Sequence, residues 1–278
     1  MTPVPDIMLN NGQPIPQLGF GVFLVRPEDT VQAVTTALEV GYRHIDTAEM
    51  YGNEREVGEA IAKSGLGRDQ VFVTSKLNNA SHRPEDARRA FGQTLEALGF
   101  DYIDLFLIHW PLPMKYDGDF VSTWDTLGEF YRAGQARSIG VSNFQAHHLR
   151  RLHAQSDIPP AVNQIEVNPY LTQSELRLFC AEHQIAVEAW SPLARGGELL
   201  ADPEVTRIAT ATGKTPAQVV LRWHIERGDI VFPKSVTSAR IRENFDIFDF
   251  ELSDDDVASI SSLNRDQRTG PDPDTFPG

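Results

Sequence analysis

Four polar residues lie at or just beyond the carboxyl ends of successive strand-like segments. Asp46 ends one segment and Tyr51 follows it in a turn, while Lys76 and His109 close the next two segments. In a barrel of parallel strands such positions converge on one face, which is where active sites lie in that fold. A carboxylate, a phenol, an ammonium group and an imidazole brought together there predict proton-transfer chemistry.

Tyr51 is the predicted proton donor of this set. A phenol with its ordinary pKa of about 10 is a poor acid at neutral pH, but a neighbouring ammonium group such as Lys76 stabilises the phenolate and lowers that pKa. Asp46 can hold the lysine by an ion pair, and His109 can orient a carbonyl or pass on a proton. Taken singly, each residue can equally have a structural role. The set also supplies no electron pair.

Composition and charge exclude several classes of protein. The 278 residues, 41% of them hydrophobic, can bury a large core as one barrel or as two smaller domains. No apolar run approaches the roughly 20 residues that cross a bilayer, and residues 1–6 do not resemble a signal peptide. A single cysteine, Cys180, further favours a cytoplasmic protein. The net charge of −14 argues against binding to nucleic acid or to anionic membranes.

Strand-like and helical segments alternate along the chain. The predicted strands are 18–22, 43–47, 71–76, 103–109, 136–141, 161–166, 186–190 and 230–233. The predicted helices between them are 28–40, 53–64, 84–98, 121–133, 146–154, 174–183, 216–227 and 238–246. Eight of each predict an α/β protein, a (β/α)8 TIM barrel formed by residues 1–278 as one domain. A doubly wound sheet is the alternative.

Three further segments lie outside this repeat. Asn11-Gly12 between short apolar stretches predicts an N-terminal β-hairpin. Residues 197–212 and 253–263 predict two extra helices, the second with a cap and an acidic first turn. Residues 264–278 are rich in Asp, Pro and Gly and predict a C-terminal loop. That loop is either a lid over the barrel or a frayed terminus.

Four stretches of the sequence resemble signatures of the aldo-keto reductases. They are residues 41–54, 104–111 and 137–144, and residues 233–236 together with 240–244. The resemblance covers nearly the whole chain in order, and it is closest to the bacterial 2,5-diketo-D-gluconic acid reductases of that family. It implies hydride transfer from NADPH bound without a Rossmann motif, and the chain indeed has no G-x-G-x-x-G after a strand.

The resemblance also implies a role for each site residue. Tyr51 becomes the general acid, Lys76 and Asp46 tune it, and His109 orients the substrate carbonyl. The implied NADPH-binding residues are Ser142, Asn143 and Gln164 at the nicotinamide carboxamide, Trp190 under the nicotinamide ring, Ser191 and Leu193 over the pyrophosphate, Lys234, Ser235, Val236 and Arg240 at the adenosine 2′-phosphate, and Glu243 and Asn244 at the adenine. A cationic pocket for that phosphate predicts NADPH over NADH.

The predicted substrate is a small carbonyl compound. Phe23, Met50, Asn78 and Trp110 are expected to line its pocket. Many family members carry Trp soon after the lysine, and Asn78 in this region predicts a more polar pocket that favours small dicarbonyls and keto-sugar acids. The histidines lack the spacing of a metal site, so no metal is predicted. A monomer is expected. The alternative function is a cofactor-sensing regulatory subunit of the same fold with slow or vestigial catalysis.

Overall fold

The structure is a computed structural model that describes residues 3–278. In this range the strands are β1 (Asp6–Met8), β2 (Pro14–Pro16), β3 (Phe20–Gly21), β4 (His44–Asp46), β5 (Phe72–Leu77), β6 (Ile103–Ile108), β7 (Ala136–Ser142), β8 (Val162–Glu166), β9 (Ala186–Trp190) and β10 (Ile230–Val231). The α-helices are α1 (Pro27–Val40), α2 (Glu54–Lys63), α3 (Pro84–Leu98), α4 (Val121–Arg132), α5 (Ala146–Gln155), α6 (Ser174–Glu182), α7 (Pro203–Thr212), α8 (Pro216–Glu226), α9 (Ser238–Phe245) and α10 (Asp254–Ser261).

The strands β3 to β10 form one parallel sheet in the order of the sequence. The sheet closes on itself, because the Gly19 N–H donates to the Val231 carbonyl at 2.8 Å and the Val231 N–H donates to the Gln17 carbonyl at 2.9 Å. The predicted (β/α)8 barrel is therefore confirmed. Its last strand is shorter than the predicted 230–233, since Pro233 has no N–H to donate to a ladder.

An antiparallel hairpin covers the amino ends of the barrel strands. β1 pairs with β2, with Ile7 opposite Ile15, and Gly12 takes a left-handed φ of 83° in the turn between them. Leu9 and Ile15 are buried and pack in one cluster with the barrel residues Leu105, Leu107, Val162 and Ile230. The predicted hairpin at Asn11-Gly12 is confirmed, and it closes the end of the barrel opposite the strand-end residues.

The first extra helix begins later than predicted. α7 starts at Pro203, and the Asp202 side chain accepts a hydrogen bond from the Glu204 N–H at 2.9 Å. A proline at the first helical position and an aspartate before it are favoured helix starts. The predicted start at residue 197 is wrong, because Gly196 and Gly197 both have positive φ. The second extra helix, α10, has the predicted cap, in which the Ser253 side chain accepts from the Asp256 N–H.

Helices α2 and α3 pack closely at one glycine. A methyl group on Gly58 of α2 would overlap the carbonyl oxygen of Leu98 at the end of α3. Because that obstacle is backbone, Gly58→Ala is expected to lower the free energy of unfolding by about 2 kcal/mol. Gly92→Ala in α3 is the matched control, since nothing lies within 4 Å of its added methyl group. Urea unfolding of both variants checks this prediction, and equal midpoints would contradict it.

No helix within residues 3–278 has the length and apolar composition needed to span a bilayer.

Candidate active site

Asp46, Tyr51 and Lys76 meet at the carboxyl end of the barrel. Lys76 is fully buried, and its Nζ donates to both carboxylate oxygens of Asp46 at 2.8 and 2.9 Å. The same Nζ donates to the Thr47 carbonyl at 2.8 Å and to the Tyr51 hydroxyl oxygen at 3.2 Å. The lysine hydrogen bonds therefore occupy the phenol oxygen as an acceptor, and the phenol proton remains available for donation.

Burial and charge have opposite effects on this cluster. Burial alone would lower the pKa of Lys76, but Asp46 and Tyr51 outweigh it and raise that pKa, so the lysine is a cation. Burial raises the pKa of Tyr51, and Lys76 offsets only part of that rise. Lys76 therefore lowers the Tyr51 pKa as expected, but the net shift is upward, because the cost of burying a phenolate exceeds the attraction of one ammonium group. Tyr51 is a neutral phenol that can donate its proton.

His109 lies beside the tyrosine at the end of β6. Its ring centroid is 5.8 Å from that of Tyr51. Burial lowers the pKa of His109 well below its ordinary value, and the nearby Lys76 and His82 lower it further. A neutral imidazole can hydrogen-bond a carbonyl but is a weak acid, so this arrangement favours Tyr51 as the proton donor.

Ser142, Asn143 and Gln164 form a polar group on the adjacent strands. The Ser142 hydroxyl donates to the Gln164 carbonyl at 2.8 Å. The Asn143 amide donates to the His109 carbonyl at 2.9 Å, and its oxygen accepts from the indole N–H of Trp190 at 2.9 Å. The structure thus brings the three predicted carboxamide-binding residues and Trp190 together next to the catalytic set. Asn143 has a left-handed φ of 64°, which turns the chain at the end of β7.

Glu188 is a part of the site that the sequence reasoning missed. Its Oε2 accepts a hydrogen bond from Gln164 Nε2 at 2.8 Å, and the same nitrogen donates to Asp46 Oδ2 at 2.8 Å. Glu188 is fully buried in β9, where burial, together with the charge of Asp46, raises its pKa to about 8. An acidic residue in the otherwise apolar strand 186–190 was the available signal.

The remaining predicted cofactor residues lie after β9 and around α9. Ser191 follows β9 with φ 48°, and Leu193 is partly packed against the core. Lys234, Val236 and Arg240 are exposed, while Ser235 is buried and its oxygen accepts from the Thr237 N–H at 3.0 Å. Glu243 accepts from the Thr215 hydroxyl at 2.7 Å, and Asn244 is buried. No hydrogen bond or ion pair within residues 3–278 joins these residues to Asp46, Tyr51, Lys76 or His109.

The predicted substrate residues differ in burial and in the residues that they contact. Phe23 is half-exposed with its ring centroid 5.0 Å from Tyr51, and Met50 is similarly exposed beside it. Trp110 is buried against Phe276 of the C-terminal segment, with 4.3 Å between ring centroids. Asn78 is half-buried, and its side-chain oxygen accepts from the Ala80 N–H at 3.0 Å. That local bond leaves mainly the amide nitrogen of Asn78 for other partners.

The C-terminal segment 264–278 crosses the same end of the barrel. The carboxylate of Glu166, at the end of β8, accepts from the Thr269 N–H at 2.6 Å, the Thr269 hydroxyl at 2.5 Å and the Gly270 N–H at 3.1 Å. Gly270 lies so close to the Trp190 ring that a methyl group there would overlap it. Of the two alternatives for this segment, the lid-like position is the one observed.

Two histidines of α5 contact the same segment. His147 Nε2 and His148 Nε2 lie 3.3 and 3.6 Å from Asp274 Oδ1. His148 is buried. Its Nδ1 accepts from the Gln145 N–H at 3.1 Å, so its Nε2 carries the proton and faces the carboxylate. His147, His148 and Asp274 therefore attach the tail to α5. Because Nε2 of His148 carries the ring proton, this nitrogen has no lone pair free to bind a metal ion.

A (β/α)8 barrel with an aspartate, tyrosine, lysine and histidine at its strand ends has the architecture of an aldo-keto reductase. The chain belongs to the Aldo/keto reductase family, whose model matches residues 17–265. Family membership makes the protein an oxidoreductase, as the signatures predicted.

Named relatives match the chain over almost its whole length. An aldo-keto reductase of Mycobacterium sp. (strain KMS) is 53% identical over 272 residues, with 98% of each chain covered. The methylglyoxal reductase DkgA of Escherichia coli (strain K12) is 46% identical over 273 residues, again with 98% of each covered. Among solved structures, a Bombyx mori aldo-keto reductase in complex with NADP superposes with a TM-score of 0.91 at 40% identity, covering 99% of this chain and 97% of that one.

Proposed function

We propose that the protein reduces aldehyde and ketone carbonyls to alcohols with NADPH, and that its substrates are small dicarbonyls or keto-sugar acids such as 2,5-diketo-D-gluconate. The observation that carries the proposal is the fully buried Lys76, which binds Asp46 and Tyr51 at once. Lys76 thereby orients the Tyr51 phenol at the strand ends of the barrel. The relatives of the chain include a methylglyoxal reductase.

The polar group beside the phenol suits the carboxamide of a nicotinamide. Both side-chain hydrogen bonds of Gln164 are donated by its Nε2. Within residues 3–278, no group donates a hydrogen bond to its side-chain oxygen. That oxygen can accept from the carboxamide nitrogen. The Asn143 amide is already bonded at both ends and holds Trp190 in place. An amide acceptor beside a fixed indole fits a planar aromatic amide. The solved Bombyx mori relative contains NADP.

In this proposal, each protein group has one task. NADPH, when bound, supplies the hydride that the protein cannot. Tyr51 gives its hydroxyl proton to the carbonyl oxygen as negative charge develops there, and Lys76 stabilises the phenolate that remains. His109, as a neutral imidazole, orients the carbonyl. In the reverse direction the Tyr51 phenolate accepts the alcohol proton.

A panel of carbonyl compounds tests the proposed function. NADPH oxidation is measured with methylglyoxal, 2,5-diketo-D-gluconate and a bulky aromatic aldehyde. We expect the highest kcat/KM for the two small polar substrates, because Asn78 gives the pocket a polar wall and the tail residue Phe276 covers Trp110. Preference for the aromatic aldehyde would overturn the substrate class. Tight NADPH binding without turnover on any compound would favour the regulatory subunit.

Arg240 is expected to select NADPH over NADH. Arg240 is exposed on α9, Lys234 is exposed in the segment that precedes this helix, and neither forms an ion pair within the described part of the chain. A guanidinium bound to a phosphate makes charge-assisted hydrogen bonds, so Arg240→Ala should raise KM for NADPH roughly 10-fold. KM for NADH, which lacks the 2′-phosphate, should change by less than about twofold. Arg242→Ala, exposed on the same helix, is the matched control. Equal changes for both cofactors would remove the proposed role.

The other expectations remain predictions: one domain over residues 1–278, a monomer, and a cytoplasmic location.

A further inference from the structure

A continuous series of hydrogen bonds runs from the catalytic tyrosine into the barrel. Lys76 joins Tyr51 to Asp46, and Gln164 Nε2 joins Asp46 to Glu188 with two bonds of 2.8 Å. Gln164 and Glu188 are directly opposite each other in the register of β8 and β9, so their side chains point to the same side of the sheet. The series ends at Glu188 Oε1, which lies 3.8 Å from His44 Nε2.

The partners of Glu188 favour its neutral form. Lys76 donates its hydrogen bonds to Asp46, Thr47 and Tyr51. No cation within residues 3–278 contacts Glu188. His44 is not that cation, because burial lowers its pKa to about 3. Its Nδ1 lies 3.3 Å from the Pro16 carbonyl and must carry the ring proton there. His44 Nε2 is then an acceptor, and the Thr74 hydroxyl lies 3.1 Å from it as the donor. Glu188 Oε1 faces the same ring nitrogen from 3.8 Å and has no hydrogen-bond partner within residues 3–278.

We propose that Glu188 is a positioning residue that acts as a neutral carboxylic acid, accepting from Gln164 at one oxygen and carrying its own proton on the other, which has no hydrogen-bond partner within residues 3–278. With Asp46 and Glu188 both accepting from Nε2, the Gln164 amide has one possible orientation, and its oxygen is left for the cofactor carboxamide. A neutral Glu188 also keeps Asp46 as the single anion opposite Lys76. This inference rests on the proposed reduction with NADPH.

Two substitutions of Glu188 separate positioning from packing. Glu188→Leu removes the acceptor for Gln164, and we expect the Kd for NADPH, measured by quenching of tryptophan fluorescence, to rise roughly 10-fold. Glu188→Gln keeps an acceptor oxygen for Gln164 and an uncharged polar group at the other position, and we expect a Kd within about twofold of the native value. Impairment of Glu188→Leu together with rescue by Glu188→Gln is the result that mere filling of space would not give, because both side chains fill the site and only glutamine keeps the acceptor.

The pH profile of kcat supplies a second measurement. The groups that face Glu188 are His44 and Asp46 from β4, Lys76 from β5 and Gln164 from β8. With a pKa of about 8, Glu188 ionises as the pH rises above that value and adds an anion beside Asp46 and Lys76, which weakens the stabilisation of the Tyr51 phenolate by that lysine. The native kcat should fall by up to about tenfold between pH 7 and 9. Glu188→Gln has no ionisable group there, so its kcat should stay level over that range.

Asp104→Asn is the matched control, because Asp104 is a buried carboxylate at the opposite end of the barrel, bonded to Arg68 and Val73. It should change neither the NADPH Kd nor the pH profile. Native-like Kd and profile in folded Glu188→Leu would overturn the positioning role, and so would a Glu188→Gln protein as impaired as Glu188→Leu. If the native protein itself neither binds NADPH nor reduces the carbonyl panel, the proposed function fails instead, and the two failures are thereby distinguished.

Discussion

Tyr51→Phe is expected to lower kcat for carbonyl reduction by roughly 10²–10⁴-fold, the usual contribution of a general acid. The phenyl ring preserves the contact with Phe23, whose centroid is 5.0 Å away, and removes only the hydroxyl that Lys76 holds at 3.2 Å. The carbonyl oxygen then gains negative charge with no proton donor beside it, since His109 is a neutral imidazole. Steady-state NADPH oxidation with methylglyoxal measures the loss.

NADPH binding provides the control for this experiment. Its Kd should stay within about twofold, because the predicted carboxamide partners lie on β7 and β8 and do not bond the phenol. Tyr131→Phe, a half-buried tyrosine of α4, should behave as the native protein. A Tyr51→Phe enzyme with full turnover would refute its assignment as the proton donor.

Lys76→Met is expected to damage both catalysis and stability. It removes the ammonium group that binds both oxygens of Asp46, which is 2% exposed. Breaking one partner of a buried ion pair leaves an uncompensated charge and costs about 3–5 kcal/mol. The phenolate of Tyr51 also loses its stabilising cation, so kcat should fall at least about 100-fold. Urea unfolding and NADPH oxidation measure the two effects.

A double variant separates these two consequences. Asp46→Asn combined with Lys76→Met removes both charges, so most of the lost unfolding free energy should return. Turnover should not return, because the cation beside Tyr51 is still missing. Recovery of activity along with stability would mean that the lysine serves the fold and not the chemistry.

The barrel and its catalytic corner were predictable from short-range patterns. Strands such as β6 are continuous buried runs, and Asp46, Lys76 and His109 each occur where such a run ends. In a parallel barrel those ends share one face, so their proximity follows once the strands are recognised. The ion pair between Asp46 and Lys76 needed only complementary charges on neighbouring strands.

Contacts that depend on strand register or on backbone groups were not predictable. Gln164 and Glu188 are 24 residues apart, and only the pairing of β8 with β9 sets them opposite each other. The attachment of the tail to Glu166 joins one carboxylate to backbone N–H groups more than 100 residues away, which no pattern of side chains encodes. The sign of the Tyr51 pKa shift likewise depended on how deeply the phenol is buried.

The contact between Gly270 and Trp190 limits how the tail can vary in sequence. The backbone N–H groups of residues 269 and 270 are held in place by the hydrogen bonds that they donate to Glu166, and the indole ring of Trp190 occupies the space where a methyl group would project. Any other residue at 270 must therefore lift the tail, tilt the ring or break those bonds. The distance between the tail and the Trp190 ring is therefore set by the absence of a Cβ atom at residue 270.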